Sequence, residues 1–486
     1  MKIYVRDVNE LIFACDALIL PLTEDNAPRS AGNSPVFNRI DKALNGLLKK
    51  IISAKEFSGK RNEIALIHTQ GRIKPDRLLL IGLGKRKDIT RDSLREAGGK
   101  AAARLRDLNL RDVALSCGLL RSLKMMPADL LEGSMLALYS FGKYKKDEDQ
   151  KGLRTFTMLS AADMKGQIKQ TERVISATCF ARDLVNTPAN DMTPSMLLKA
   201  ARSLKNITVK VIDRKQAEKL GMGAFLSVAR GSEEPPKFIV MSYKKKNMAP
   251  VVLIGKSITF DSGGISLKPA LGMEKMKYDM SGGAAVLGVM KAVSEMKLPL
   301  HIIAILPAAE NMSGGRASKP GDVVRSVEGR TIEIINTDAE GRLALADALG
   351  YAKRFKPSAV IDIATLTGAC SVALGNEAIA MMGNDDSLMA KIKKASEETA
   401  EKVWQMPLFD EYKEYIKSDI ADLKNSSGSS GSLVTAGYFL KEFADDMPWV
   451  HLDIAGTAWT DKDRPYIPRG ATGIGVRLLL KFLELV

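Results

Sequence analysis

The segment 336–343, with the sequence NTDAEGRL, places Asp338, Glu340 and Arg342 at alternate positions. It follows an apolar run, residues 331–335, whose β-branched side chains predict a strand, and the alanine- and leucine-rich residues after it predict a helix. Open α/β sheets bind ligands at the carboxyl ends of their strands, so this corner could offer two oxygen ligands to a hard cation. Taken alone, the segment fits an N-cap aspartate with a solvated glutamate and arginine equally well.

A second set of charged residues follows another predicted strand, residues 251–254, on a glycine-rich connection. It contains Lys256, Asp261, Lys268 and Asp279, each of which could separately be a surface lysine, a turn residue or a complement to a helix dipole. Together with the first segment they place four carboxylates and two lysines at the ends of two strands of one predicted sheet. Because carboxylates held close together raise one another's pKa, such a cluster needs cations. Two divalent ions about 3.5–4 Å apart, as in several hydrolases, would satisfy it.

The elements that must position these residues alternate between strand and helix, which predicts an α/β fold with a mainly parallel sheet flanked by helices. In this C-terminal catalytic domain, strands are predicted at 251–254, 302–306, 331–335, 359–363 and 449–454. Helices are predicted at 284–296, 343–355, 386–402 and 434–443.

The amino-terminal third predicts a smaller α/β domain of its own. Its strands are predicted at 16–20, 64–67, 77–81 and 155–160, and its helices at 37–52 and 91–105. The chain of 486 residues is too long for one ordinary core. We therefore predict an N-terminal domain at 1–165 and a catalytic domain at 166–486, with a linker helix at 166–185.

Composition narrows the class of protein and of metal site. The sequence is 45% apolar and 27% charged, and it has no apolar run near the ~20 residues that a membrane helix needs. Its amino terminus does not have the pattern of a signal peptide. We therefore expect a cytoplasmic protein without a membrane segment. The four cysteines are scattered without metal-site spacing, which favours a reducing compartment. The three histidines, His68, His301 and His451, each fit a structural role, so a metal site should depend on carboxylates.

The net charge is +15, and the first 150 residues carry 27 lysine and arginine against 19 aspartate and glutamate. A basic face of this kind can attract nucleic acid or anionic substrates. A solvated surface that keeps the protein in solution explains it as well.

The two charged segments resemble the signatures of the leucyl aminopeptidases, also called cytosol aminopeptidases. The similarity extends over roughly residues 170–480. Its motifs lie at 186–188, 256–269, 276–280, 336–343, 365–369 and 451–456.

The resemblance implies two divalent ions per subunit, Mn²⁺ or Zn²⁺. Their ligands would be Lys256, Asp261, Asp279, Asp338 and Glu340. The first ion would use all of these except Asp338, and the second would use the three acidic residues Asp261, Asp338 and Glu340. A lysine can bind a metal only when neutral, so a nearby dication must depress its pKa.

The family's two catalytic side chains correspond to Lys268, which would stabilise the oxyanion, and Arg342, which would hold a bicarbonate acting as general base. The residues expected to bind substrate are Met276, Thr365, Leu366, Gly368 and Ala458. The expected activity is removal of amino-terminal residues, preferably leucine and other apolar residues, by attack of a water activated by two metals. The free amine of the peptide would bind one metal, and the sizes of Ala458 and Trp459 would tune the preference.

The resemblance also implies a homo-hexamer, and some family members bind DNA, which the basic amino-terminal third leaves open. One departure is the loop 422–431, which lacks the Gly-Gly-Arg type of sequence common in relatives. Since no metal ligand lies there, we expect it to affect substrate contacts or subunit packing and not the chemistry.

Overall fold

The computed structural model describes residues 1–26, 35–146, 152–244 and 247–486. The chain forms two compact units, the first made of Met1–Ile175 with Lys462–Arg469 and the second of Ser176–Asp461 with Gly470–Val486. The boundary predicted between residues 165 and 166 stays a prediction. No helix among the described residues is both long and apolar enough to cross a membrane.

The first unit contains a sheet whose strand order is β1-β6-β5-β2-β4-β3 and whose pairs are all parallel except β3 with β4. Its strands are β1 (Lys2–Arg6), β2 (Ala17–Leu22), β3 (Ile64–His68), β4 (Arg77–Gly82), β5 (Asp112–Ser116) and β6 (Thr155–Leu159). Its helices are α1 (Pro35–Ala43), α2 (Leu47–Ser53), α3 (Arg91–Asp107), α4 (Gly118–Ser122) and α5 (Pro127–Ala137). Alternate residues of β2 belong to two separate hydrophobic clusters, so helices cover both faces of this sheet.

The single helix predicted at 37–52 is wrong, because the chain forms the two helices α1 and α2 there. Asn45 and Gly46 between them have φ values of 55° and 78°. These left-handed conformations end a helix, and glycine and asparagine adopt them at low cost. The apolar periodicity continued across the break and concealed it.

The second unit begins within the helix α6 (Lys165–Asn186) and contains the larger sheet. Its strands are β7 (Thr208–Ile212), β8 (Lys237–Lys244), β9 (Val251–Gly255), β10 (Ser257–Asp261), β11 (His301–Asn311), β12 (Val323–Arg325), β13 (Thr331–Glu333), β14 (Ala359–Ala364), β15 (Ile379–Gly383), β16 (Val403–Gln405), β17 (Leu423–Lys424), β18 (Trp449–Asp453), β19 (Trp459–Thr460) and β20 (Gly470–Ala471). Its further helices are α7 (Pro194–Arg202), α8 (Arg214–Lys219), α9 (Gly223–Val228), α10 (Ser281–Met296), α11 (Glu340–Ala352), α12 (Gly368–Leu374), α13 (Asp386–Thr399), α14 (Ser432–Ala444) and α15 (Val476–Leu483).

The strand order of the larger sheet is β16-β15-β18-β14-β9-β11-β8-β7, with β10 paired to β11. Its centre is parallel: β18, β14, β9 and β11 run in one direction. Every residue of β9 and β14 is buried, as expected of central strands covered on both faces. Val252 and Ile254 join α11 and α14 in one core cluster, while α10 also packs against β9. The predicted α/β class with a mainly parallel, helix-flanked sheet is confirmed.

Two sequence predictions for the site-bearing segments are corrected. The run 331–335 does not join the larger sheet: β13 ends at Glu333 and pairs with β12 and β17 in a small separate sheet. The local hairpin with β12 determines its partner, which residue composition alone does not reveal. The glycine-rich connection after β9 also contains a further strand, β10, which the sequence did not predict.

Parallel strands bring the site together, because their carboxyl ends lie at one edge of the sheet. Lys256 lies between β9 and β10, Asp261 ends β10, Asn311 ends β11, and Thr365 follows β14. The start of α11, which follows the small sheet, supplies the carboxylates of the segment 336–343.

Candidate active site

Lys256 is the most constrained cation of the site. It is only 3% exposed, and its Nζ donates to the carbonyl of Thr365 at 2.8 Å. The same atom lies 2.9 Å from Asp279 Oδ1 and 2.8 Å from Glu340 Oε1. Burial alone would lower the pKa of Lys256, but the carboxylates around it outweigh burial and raise the pKa.

Gly341 provides the space that Lys256 occupies. A Cβ at Gly341 would lie 2.7 Å from Lys256 Cε and 2.8 Å from its Nζ, which is closer than side chains pack. The glycine between Glu340 and Arg342 therefore lets the start of α11 approach the lysine.

Lys268 is a second cation between carboxylates. Its Nζ lies 2.7 Å from Asp261 Oδ2 and 2.5 Å from Asp338 Oδ1, and its side chain is 21% exposed. Burial, with Asp261 and Glu340 nearby, raises the pKa of Asp338 to about 6 although Lys268 opposes the rise. Asp261, Asp338 and Glu340 can each offer one oxygen within 4.8 Å of the others, which suits a shared metal ion.

Asp261 is held by neutral donors as well. Its Oδ1 accepts from the backbone N–H of Gly263 at 2.9 Å and from Asn311 Nδ2 at 2.8 Å. Asn311 Nδ2 also donates to the carbonyl of Thr337 at 3.1 Å, just before Asp338. The sequence did not identify Asn311, because the strand predicted at 302–306 ended before it, whereas β11 continues to Asn311.

Asp279 is oriented by Thr365, whose Oγ1 donates to Asp279 Oδ1 at 2.7 Å and contacts its backbone carbonyl at 3.1 Å. Burial raises the pKa of Asp279 well above its usual range, and Lys256 offsets this only in part. The outer oxygens Asp279 Oδ2 and Glu340 Oε2 are buried without a hydrogen-bond partner among the described residues. Buried carboxylate oxygens normally have partners, so these two fit a role as ligands of a cation.

Charge supports the same interpretation. The four carboxylates exceed the two lysines that contact them, which leaves the cluster formally two charges negative when all six are ionised. Oxygen-rich donor sets of this kind fit Mn²⁺ and other hard divalent cations. The residues present therefore fit the metal centre that the sequence predicts.

Arg342 lies beside this cluster and is almost fully buried. Its Nη1 donates to the carbonyl of Asn425 at 2.7 Å, while its Nε is buried without a partner in the described part of the chain. Burial lowers the pKa of Arg342 to about 10, so it stays a cation at neutral pH. Asn425 in turn accepts from the N–H of Ile335 and donates to the carbonyl of Asn336, both at 2.8 Å. The divergent loop 422–431 thus contacts Arg342, which the sequence did not indicate.

The segment after β14 carries three residues predicted to bind substrate. Thr365 contacts Lys256 and Asp279, as above, and the N–H of Leu366 donates to Asp453 Oδ1 at 3.1 Å. Gly368 is the exposed first residue of α12.

Met276 and Ala458 lie on two other segments of the second unit. Met276 is in the short helix Met273–Met280 that carries Asp279, and Ala458 is buried just before β19. The rings of Tyr278 and Trp459 stack with centroids 6.2 Å apart, which brings these two segments together. Met276, Gly368 and Ala458 lie outside the side-chain hydrogen bonds and ion pairs that join the carboxylates, so their part in substrate binding stays a prediction.

None of the three histidines lies in the carboxylate cluster. His451 is buried, with its Nδ1 2.5 Å from Asp362 Oδ1. His301 Nδ1 lies 2.8 Å from the carbonyl of Met248.

Comparisons with known proteins match both the amino-terminal and the carboxyl-terminal part of the chain to one family. Residues 179–480 match the family model described as cytosol aminopeptidase family, catalytic domain, and residues 19–148 match the N-terminal domain of the same family. A probable cytosol aminopeptidase of Geobacter sp. (strain M21) is 46% identical over 495 residues, covering 100% of both chains. One from Geotalea uraniireducens (strain Rf4) is 48% identical over 462 residues, covering 92% of this chain and 93% of the relative.

Two solved structures are similar to this chain over nearly its whole length. A mutant of tomato leucine aminopeptidase is 34% identical with a TM-score of 0.90, covering 100% of this chain and 97% of that one. The bottromycin maturation enzyme BotP in complex with Mn is 32% identical with a TM-score of 0.85, covering 97% of this chain and 99% of that one.

Proposed function

Because this chain belongs to the cytosol aminopeptidase family, and is thus a metal-dependent hydrolase that removes residues from the amino termini of peptides, we propose that it prefers leucine and other apolar residues and works with two divalent ions. The ions would be Mn²⁺ or Zn²⁺. The observation that carries the proposal is the paired arrangement of cations and carboxylates. Lys256 lies between Asp279 and Glu340, and Lys268 lies between Asp261 and Asp338.

The proposed ligands are those expected from the resemblance. They are Lys256, Asp261, Asp279, Asp338 and Glu340. The unpartnered outer oxygens of Asp279 and Glu340 support this assignment. When bound, the two ions would polarise a water toward hydroxide near neutral pH and stabilise the charge of the transition state. Lys256 would join the set only as a neutral amine, so it must release its proton.

Lys268 is proposed to stabilise the developing oxyanion. Its side chain is one-fifth exposed, unlike that of Lys256, so a substrate carbonyl could approach it. It is held by Asp261 and Asp338, which keeps the charge in place before substrate arrives. Preorganised charge of this kind is the most effective electrostatic contribution to a rate.

Arg342 is proposed to hold a bicarbonate that serves as general base. Its unpartnered Nε leaves a donor for a planar anion, and the carbonyl of Asn425 fixes Nη1. A guanidinium matches two oxygens of such an anion in a bidentate manner. Its charge at neutral pH lets it hold the base without exchanging the proton itself.

The apolar preference is proposed to come from Met276 and Ala458, with Thr365, Leu366 and Gly368 contacting the peptide backbone. The small side chain of Ala458 would leave space for leucine, and the stacked pair Tyr278 and Trp459 would fix the relative position of the two walls. One methylene more or less in such a pocket changes selectivity by about 10- to 200-fold.

The test is hydrolysis of Leu-p-nitroanilide by protein freed of metal and reloaded with Mn²⁺ or Zn²⁺. Asp338→Asn and Glu340→Gln should lose most activity. Glu401→Gln is the matched control, because Glu401 is also buried and lies 3.2 Å from Arg477 of the same unit. N-acetyl-Leu-p-nitroanilide should not be cleaved, since the free amine is required. An inactive unmutated protein, or full activity in the first two variants, would refute the metal assignment.

Two further parts of the proposal follow from the resemblance: a homo-hexamer and a cytoplasmic location. Light scattering should give a mass six times the 52.8 kDa of one chain. A monomer mass at working concentrations would contradict the hexamer. Fractionation of the source cells should find the activity in the cytoplasmic fraction, and recovery outside it would contradict that location.

DNA binding is a second candidate function. The basic segments 85–87 and 143–146 of the first unit are exposed to solvent, as a surface that binds phosphates must be. A gel-shift titration across salt should show affinity that falls steeply as salt rises. Binding that is absent, or that salt does not change, would remove this candidate.

A further inference from the structure

We propose that Asn311 is a positioning residue of the metal centre, one that determines metal affinity by tying together two separate ligand-bearing segments. The inference rests on the proposed two-metal function. No motif in the sequence pointed to this residue, and it would not contact a metal itself. Its amide acts on the ligand Asp261 and on the chain that carries the ligand Asp338.

One nitrogen makes both connections. Asn311 Nδ2 donates to Asp261 Oδ1 at 2.8 Å and to the carbonyl of Thr337 at 3.1 Å. Asp261 ends β10, whereas Thr337 lies in the loop before α11. Asp261 belongs to the larger sheet, whereas Thr337 belongs to the loop that follows the small sheet, so this amide joins segments that no backbone ladder connects.

The hydrogen-bond partners decide which way the amide faces. Both partners are acceptors, a carboxylate oxygen and a backbone carbonyl. The reverse orientation would place Asn311 Oδ1 against two oxygens and lose both bonds. An ionised aspartate at this position would also place an oxygen against these two acceptor oxygens. It would add a negative charge to a cluster that already has more carboxylates than lysines.

The amide restrains the carboxylate without competing with a cation. Asp261 Oδ1 receives the donors of Asn311 and Gly263, and Oδ2 faces Lys268. Asn311 is a neutral donor, so it adds no positive charge to the site and can keep its bond to Asp261 when a metal binds. The bond to Thr337 restrains the residue next to Asp338 in the same way.

Asn311 is itself rigidly held. It is the last residue of β11, is 4% exposed, and its carbonyl accepts from the N–H of Ser262 at 3.0 Å and from its Oγ at 2.9 Å. A Cβ at Gly264 would lie 3.0 Å from Asn311 Oδ1, so glycine leaves just enough space for the amide. Ligands are positioned best by supports of this kind, built on sheet strands.

The experiment compares Asn311→Leu with Asn384→Leu. Asn384 is the matched control, because its Nδ2 also donates to two acceptors of the same unit, the carbonyls of Asp445 at 3.1 Å and Met447 at 2.9 Å. Both variants are stripped of metal and titrated calorimetrically with Mn²⁺ alone, and their melting temperatures are measured without metal. Asn311→Ala is measured alongside, so that the result does not depend on the leucine variant folding.

We expect Asn311→Leu and Asn311→Ala to bind at least one Mn²⁺ about 10- to 100-fold more weakly, as when other supports of metal ligands are removed. Asn384→Leu should lower the melting temperature but keep the Mn²⁺ affinity of the unmutated protein. At saturating Mn²⁺ the Asn311 variants should recover most of their kcat. Unchanged Mn²⁺ affinity in both Asn311 variants would overturn this inference alone. Failure of the unmutated protein to bind Mn²⁺ or Zn²⁺ would overturn the proposed function as well.

Discussion

Replacing Gly341 by alanine tests whether the exact position of Lys256 matters for catalysis. The change adds one methyl group at the start of α11 and removes no polar contact. That methyl would lie 2.7 Å from Lys256 Cε, 2.8 Å from Nζ and 3.0 Å from Cδ. The lysine cannot simply turn away, because three oxygen atoms bind its Nζ at 2.8–2.9 Å.

The size of the displacement follows from these distances. Carbon atoms pack at about 3.5 Å or more, so Lys256 Cε must move by about 0.8 Å from the 2.7 Å position. A shift of that size would stretch at least one Nζ contact beyond the range of a hydrogen bond. Misplacement by about 1 Å can cost a factor of about 100 in rate. Alanine also favours a helix over glycine by about 1 kcal/mol, which offsets part of the packing strain of about 1–3 kcal/mol.

The assay is kcat/KM for Leu-p-nitroanilide at saturating Mn²⁺, with urea unfolding of the same samples. We expect kcat/KM to fall roughly 100-fold in Gly341→Ala while stability changes little. Gly350→Ala in the same helix is the control: its methyl would also lie 2.7 Å from side-chain atoms, those of Val327 and Glu328. Gly350→Ala should keep its activity. Equal activity in Gly341→Ala and the unmutated protein would refute the argument that Lys256 must be held in place.

Asp347→Asn should remove a pH dependence of stability. Burial raises the pKa of Asp347 to about 7 against 3.8 for an unperturbed aspartate, so the folded state keeps a proton that the unfolded state releases. Unfolding free energy should therefore fall as pH rises from about 4 to 7, by roughly 4 kcal/mol from this residue. Urea unfolding at pH 5 and pH 8 should show a smaller fall in unfolding free energy for Asp347→Asn than for the unmutated protein. Equal falls in the two proteins would contradict the role of Asp347. Removing metal with a chelator should abolish activity and lower the melting temperature, because ions at 100 times their Kd stabilise the fold by about 2.7 kcal/mol. Readdition of Mn²⁺ should restore both the activity and the melting temperature. If the chelator leaves the melting temperature unchanged, the folded state does not bind metal in preference to the unfolded state.

The sequence predicted the central strands well because their residues leave few alternatives. β9 and β14 are short runs rich in valine and isoleucine, apolar apart from Asp362, and are typical of a sheet covered on both faces. The run 331–335 has a similar composition, yet β13 pairs with its neighbour β12 in another sheet. Composition predicts that a strand forms, but the pairing partner depends on the turn between the strands and on the space left by other elements.

For the candidate site, the sequence identified charged residues and missed neutral ones. Lys256 and Lys268, with the four carboxylates, stand out because buried charges need partners, and the structure brings these six side chains together. Asn311 and Asn425 could not be predicted, since asparagine is common in turns and at strand ends. Their contacts depend on which segments meet: β10 with β11 for Asn311, and the loop 422–431 with the start of α11 for Asn425.

The contacts of Asp453 imply that changes of substrate preference in this protein are epistatic. Its carboxylate accepts from the N–H of Leu366 and of Ala455, both at 3.1 Å, and from Thr367 Oγ1 at 2.8 Å. One carboxylate thus anchors the segment proposed to bind the peptide backbone and the segment that leads to Ala458. A substitution in either segment that moves this anchor also moves the other, and residues coupled in this way show interaction energies of about 0.5–3 kcal/mol. A new preference would therefore be reached through particular orders of substitutions, because the effect of each depends on those already present.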